Sequence, residues 1–152
     1  MKNLFLLICF FAFAGAIGQD KHQATMEKRA NELHRVMGLN EKEQWKKFML
    51  ENYSKSLLER PVKSSTKSSE EGSTTSTSSS TADKLEEKLK MFERLHRDFG
   101  SSKVVSMKTV NENIEMILEN TSGLKGNFRI AFEKHTPFLI DGINIQIDQH
   151  KH

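Results

Sequence analysis

An α+β domain is the fold class this sequence predicts, with N-terminal helices packed on a curved, mainly antiparallel four-stranded sheet. Two observations carry it. Apolar residues recur at helical spacing as far as Gly100, and beyond it the period shortens to two. Short turn signals separate the alternating segments, which makes consecutive strands antiparallel neighbours. The helices then have to cover one face of that sheet, because their apolar stripes have no other partner.

The chain opens with Lys2, a short apolar run from Leu4 to Ala14 and the small residues Ala14-Gly-Ala-Ile-Gly18. This is the pattern of a secretory signal peptide, with Ala16 and Gly18 at the cleavage positions, and it predicts a leader over 1–18. The run falls short of the roughly 20 apolar residues that a spanning helix needs, so no membrane anchor is expected after cleavage. Cys9 lies inside the run and is followed by Phe10 and Phe11, whereas a lipid-attachment cysteine should end it. Removal of the leader leaves residues 19–152 as a single domain, secreted or periplasmic, with no cysteine. That excludes disulfides, a thiol nucleophile and cysteine metal ligands. The formal charge of +3 falls to +2 with the loss of Lys2. Acidic and basic residues are interspersed, so no nucleic-acid footprint is visible.

In the first helix Met26, Ala30, Leu33 and Met37 form the stripe and Gly38 closes it. Asn40 is placed to cap a second helix, with Glu43 as its capping-box partner and Trp45, Phe48, Met49 and Tyr53 as the apolar face. A low-complexity insertion follows over 62–82. From Ser64 to Thr81, fourteen of eighteen residues are Ser or Thr, and none is apolar, so nothing there offsets the entropy of ordering. A disordered surface loop fits, since closure entropy grows only logarithmically with length. Glycosylation or phosphorylation of the tract is a further option. Ser64-Ser-Thr-Lys67 matches the Ser-x-x-Lys pattern of penicillin-binding enzymes, but such a tract produces the match by composition alone.

The third helix carries Leu85, Leu89, Phe92, Leu95 and Phe99 on one stripe, with Glu86–Lys90 and Glu93–Arg97 as favourable pairs on its outer face. Gly100 ends it. Lys103–Val110 then reads as a strand and Asn111-Glu-Asn113 as a turn. Ile114, Met116 and Leu118 alternate with acidic residues, although Ile117 interrupts the pattern. Asn120–Gly123 with Gly126 reads as the next turn. Phe128, Ile130 and Phe132 alternate in turn, His135-Thr-Pro137 marks another turn, and Ile143, Ile145 and Ile147 form the last strand. Gly142 stands where a bulge or bend would help.

Trp45-Lys-Lys-Phe48 through Glu51-Asn-Tyr-Ser54, Lys90-Met-Phe-Glu-Arg-Leu-His96 with Phe99-Gly100, and Pro137-Phe-Leu-Ile-Asp-Gly-Ile-Asn-Ile145 carry a resemblance. In the order of its elements the chain resembles the nuclear transport factor 2-like superfamily, a cystatin-like cone fold. It looks most like the accessory domain that precedes beta-lactamase-related serine hydrolase or tail-specific peptidase domains in secreted bacterial proteins. The Ser/Thr tract is longer than the loops usual there, and no hydrolase domain follows in this sequence. The resemblance implies a pocket between sheet and helices, with Trp45, Phe48, Phe92, His96, Phe128 and Phe132 as candidates to line it. Some relatives, such as ketosteroid isomerase and scytalone dehydratase, place an acid or histidine in that pocket, which makes His34, His96, Glu133 and Asp141 the residues to inspect. Core packing is the competing reading of every aromatic on this list.

No catalytic set stands out. His150 and His152 with His22 make a poor metal site, since zinc needs three or four ordered ligands. No cofactor is expected. Asn52-Tyr-Ser54 and Asn120-Thr-Ser122 are formal N-glycosylation acceptors. The leading expectation is an exported, non-enzymatic domain that binds a small ligand or an envelope protein, such as a separately encoded hydrolase. A small lyase or isomerase using a pocket acid or His96 is the alternative. A self-associating structural domain, dimeric across the open sheet face, is the third.

Overall fold

The computed structural model describes residues 4–62 and 80–148. Most of the Ser/Thr insertion and the terminal histidines lie outside the described residues. The elements run α1 (Leu4–Met37), α2 (Lys42–Asn52), α3 (Lys55–Glu59), α4 (Thr81–Phe99), then β1 (Lys103–Val110), β2 (Asn113–Glu119), β3 (Lys125–Phe132) and β4 (Ile140–Asp148). The four strands form one antiparallel sheet in sequence order. Helices precede an open four-stranded meander, so the fold is α+β as the change of period predicts.

Met26, Ala30, Leu33, Val36 and Met37 are buried in the part of α1 whose side chains are described, at the helical spacing read from the sequence. The start of α2 differs from expectation. Asn40 does not cap it; Glu41 occupies the N-cap position without a side-chain hydrogen bond. Trp45 sets the start instead. Its indole Nε1–H donates to the carbonyls of Val36 and Leu39, at 3.1 and 2.8 Å, and so pins the first turn of α2 to the end of α1. Tyr53 leaves the helix, caps its C-terminus and bridges to Ile140. The short helix α3 follows at once, with Ser54 as its N-cap, an element with too few residues to show a period.

The insertion ends earlier than 82. Ser80 and Asp83 form a reciprocal capping box, so Thr81 and Ala82 belong to α4. The sequence favours an early start because Ser at N-cap with an acid three residues on satisfies two backbone donors at once.

Two residues in left-handed backbone, Asn111 and Glu112, connect β1 to β2, the geometry of a tight hairpin. Cross-strand partners place Met107, Met116, Phe128 and Ile145 in one row of the inner face, and Thr109, Ile114, Ile130 and Ile143 in the next. Ile114, Met116, Leu118, Phe128 and Ile130 are fully buried there. Ile117 takes the opposite face, which explains the broken alternation. That outer face is polar, with Lys103–Glu119 at 3.5 Å and Lys108–Glu115 at 3.1 Å pairing across β1 and β2. Gly126 is not a turn residue but a member of β3, paired with Leu118 and Ile147. It is small because the Phe99 ring lies over it: a Cβ there would meet Phe99 Cζ at 2.6 Å. β4 begins at Ile140, three residues before the alternation shows, and the ladder slips beside Gly142 as Asp141 is bypassed.

Candidate functional site

A cleft of about 490 Å³ opens where α3, α4 and β4 meet. Gly142, Ile143 and Asn144 of β4 form its floor. Tyr53 and Leu57 stand on one side with Arg60–Val62, and Lys88 and Met91 of α4 on the other. A volume of this size suits a small organic ligand.

Ser54 joins two of the elements around it. This residue is fully buried. Its amide donates to the Ile140 carbonyl at 2.8 Å, its hydroxyl donates to the Asp141 carboxylate, and its oxygen accepts from Leu57 N–H at 2.9 Å. One side chain thus caps α3 and ties it to the irregular start of β4. Arg60, just past α3, closes the same link. Its Nη2 donates to the Asp141 carbonyl and lies 2.9 Å from the Asp141 carboxylate, while its Nε donates to Ser56. Asp141 is therefore spent on Ser54 and Arg60 and does not act as an unattached acid.

Two polar groups of the cleft are less settled. Lys88 is only 3% exposed, and its ammonium donates to the Arg60 carbonyl. Burial holds its pKa below the ordinary lysine range; Glu87 opposes that shift, while Lys84 and Arg60 add to it. No carboxylate lies within ion-pair distance of Lys88 among the described residues. The Tyr53 hydroxyl is buried and has no hydrogen-bond partner among them. Burial raises its pKa, so it stays protonated and remains a donor. A buried charge and a buried hydroxyl without full partners are both costly, and both belong to residues that line the cleft.

The six aromatic and histidine residues singled out in the sequence sit elsewhere. Trp45 and Phe48 both pack on Phe92, with ring centroids 5.6 Å apart for Trp45–Phe92 and 6.3 Å for Phe48–Phe92. Phe128 meets Phe99 edge to face at 5.3 Å. Phe132 is half-buried against the same core. His96 stacks beside Trp45, and its Nδ1 lies 2.7 Å from the Met37 carbonyl, a clamp between α4 and the end of α1. None of the six lines the cleft. Of the other titratable candidates, His34 bonds Ser102 at 3.0 Å, and Glu133 lies near Arg29. Asp141 alone borders the cleft, through Arg60.

The sequence singled out as pocket-lining none of the residues that line the cleft, Lys88, Tyr53, Leu57 and Arg60 included. Lys88 leaves one legible trace: it falls three residues after Leu85 and four before Phe92, on the apolar stripe itself. Both glycosylation acceptors are structurally committed. Asn52 receives Arg29 and donates to the Phe48 carbonyl. Asn120 donates to the Asp98 carbonyl and accepts from Ser122 and Leu124 N–H. Among the described residues no group of three or more His, Cys, Asp or Glu is arranged to hold a metal, and no helix is long and apolar enough to cross a membrane.

A smaller groove of about 250 Å³ crosses the outer face of the sheet between Glu115, Asn127, Arg129, Asn144 and Gln146. Glu115 pairs with Lys108 rather than with Arg129, and the buried Asn127 Oδ1 has no hydrogen-bond partner among the described residues; about half the volume of the first cleft makes this groove the weaker candidate. Compared with protein-family models, with curated proteins and with solved structures, the chain matches none.

Proposed function

We propose that this chain is an exported, non-enzymatic domain that binds a small molecule in the cleft between α3, α4 and β4. One observation carries the reading: a cleft of ligand size is lined by Tyr53, a buried residue whose hydroxyl has no hydrogen-bond partner among the described residues. The apolar surroundings, Leu57, Met91 and Ile143, supply contact area, and the few polar groups supply orientation, as in small-molecule sites generally. A binding rather than catalytic role is supported by the state of the site's acid, since Asp141 is engaged by Arg60 and Ser54. The leader pattern over residues 1–18 supports export. The order of helices and meander supports placement beside the nuclear transport factor 2-like superfamily.

Native mass spectrometry of the chain recovered from its own host tests both halves. The expected species starts at Gln19 and carries a small molecule lost on activation. A secreted species that retains residues 1–18 would overturn export by leader cleavage. A repeatedly empty species, together with a fragment library that moves no amide of Gly142, Ile143 or Asn144, would overturn the binding reading.

A further inference from the structure

We infer that the ligand of this cleft is a small amphipathic monocarboxylate, with its carboxylate held by Lys88 and Tyr53 and its apolar tail lying along Leu57, Met91 and Ile143. The inference rests on the proposed binding role and adds the chemical class.

The charge of the site sets the sign of the ligand. Arg60 is neutralised by Asp141. Lys88 brings a second positive charge, is buried, and has no carboxylate within ion-pair distance among the described residues. Buried charges in folded proteins are paired, so the missing partner is an anion. Hydrogen bonding says the same. An ammonium has three donors, and the Arg60 carbonyl takes one. The Tyr53 hydroxyl is a further buried donor with no acceptor. The ligand has to supply acceptors at both, which a carboxylate does with its two oxygens.

The headgroup is a carboxylate rather than a phosphate because of Arg60. Phosphate recognition favours a guanidinium presenting two parallel donors. Here Nε and Nη2 are already used on Ser56 and Asp141. One uncompensated ammonium also balances one negative charge. The rest of the ligand is apolar because the cleft is: Leu57, Met91 and Ile143 reach it from three different elements. A short acid such as acetate would leave those walls wet.

The test compares decanoate, decan-1-ol and acetate by amide shifts in the full mature chain. Decanoate is expected to move Gly142, Ile143 and Asn144 and to bind at least about tenfold more tightly than decanol, the worth of one charge-assisted hydrogen bond. Acetate is expected to move nothing. Lys88→Met should abolish the preference for decanoate over decanol. Tyr53→Phe, which deletes only an unpartnered hydroxyl and keeps the ring, should weaken decanoate severalfold. Equal binding of decanoate and decanol, or an unchanged preference in Lys88→Met, would overturn the assignment. So would the absence of decanoate binding. In that case the binding role itself still stands if the host-derived chain carries some other molecule, and falls if it carries none and no fragment reaches the cleft.

Discussion

Gly126→Ala probes the place where α4 meets the sheet. Gly126 lies in regular β3 backbone, so alanine is conformationally acceptable, and restricting the unfolded chain would by itself stabilise the fold by about 0.4–1 kcal/mol. The native state opposes this. The new Cβ would sit 2.6 Å from Phe99 Cζ and 2.9 Å from both Phe99 Cε1 and Phe128 Cε2. Both rings are fully buried and locked edge to face, so neither can step aside without moving the other. Overpacking of this kind costs about 1–3 kcal/mol, and the net expectation is a loss of roughly 1.5 kcal/mol. With a urea slope of about 1.5 kcal/mol/M, the unfolding midpoint should fall by about 1 M. Phe99→Leu provides the control. It removes the ring atoms beneath the new methyl and leaves Phe128 room to tilt, so Gly126→Ala in that background should come within about 0.5 kcal/mol of neutral. A stabilised single variant, or the same loss in both backgrounds, would refute the claim that Phe99 occupies the place of the missing side chain.

Lys88→Met should leave the chain as stable or up to about 2 kcal/mol more stable at neutral pH, because a buried ammonium is exchanged for an apolar side chain of similar length. Its sign with pH is fixed by the lowered pKa. The native state binds the proton less readily than the unfolded chain, so the cost of Lys88 is fully present below the native pKa and fades as pH climbs toward the ordinary lysine range. Urea titrations at pH 7 and pH 10 should therefore show the advantage of methionine shrinking, with Glu87, Lys84 and Arg60 as the charged neighbours to hold constant. Glu112→Gly should stabilise by about 0.5–1 kcal/mol in the same assay, since Glu112 sits at φ +60° in a hairpin turn that favours glycine. His96→Leu should cost about 1–2 kcal/mol by stranding the Met37 carbonyl, and nitrogen shifts of the wild-type ring should report a proton on Nδ1; unchanged stability would mean that the clamp holds nothing.

The fold was legible where one signal had one meaning. Leu85, Phe92, Leu95 and Phe99 repeat at 3.6, and Ile114, Met116 and Leu118 repeat at two, so the change of element class at Gly100 is written in the side chains. Boundaries were harder, because capping is decided by contacts made at a distance. Asn40 has the right chemistry for a cap, yet Trp45 bonding back to Val36 and Leu39 starts the helix one residue later. Gly126 reads as a turn until the ring of Phe99, 27 positions earlier, is placed above it. The site was the least legible part. Trp45, Phe48, Phe92 and Phe128 attract notice as pocket residues for the same reason that they fill the core: they are large and apolar. The charged residues of the cleft, Arg60 and Lys88, are ordinary surface types, and only the place of Lys88 on the apolar stripe hints at its burial. Their meeting depends on α3 and α4 closing across the Ser/Thr insertion, and no periodicity records that closure.

The meander has a consequence for timing. Each ladder joins strands adjacent in the sequence, across connections of two, five and seven residues. The sheet therefore closes only short loops and can assemble quickly, whereas α1 and α2 reach α4 across the insertion and the sheet from further still. Synthesis runs the other way. Met26, Leu33, Trp45 and Phe48 leave the ribosome first, and the surfaces that bury them, Ile114, Met116, Phe128 and Ile130, arrive last. For the length of time that separates them, the nascent chain holds half of a core without the other half. A chain halted before β2 keeps that half exposed, and exposed apolar surface of this kind is what makes unfinished chains prone to adhere to their neighbours.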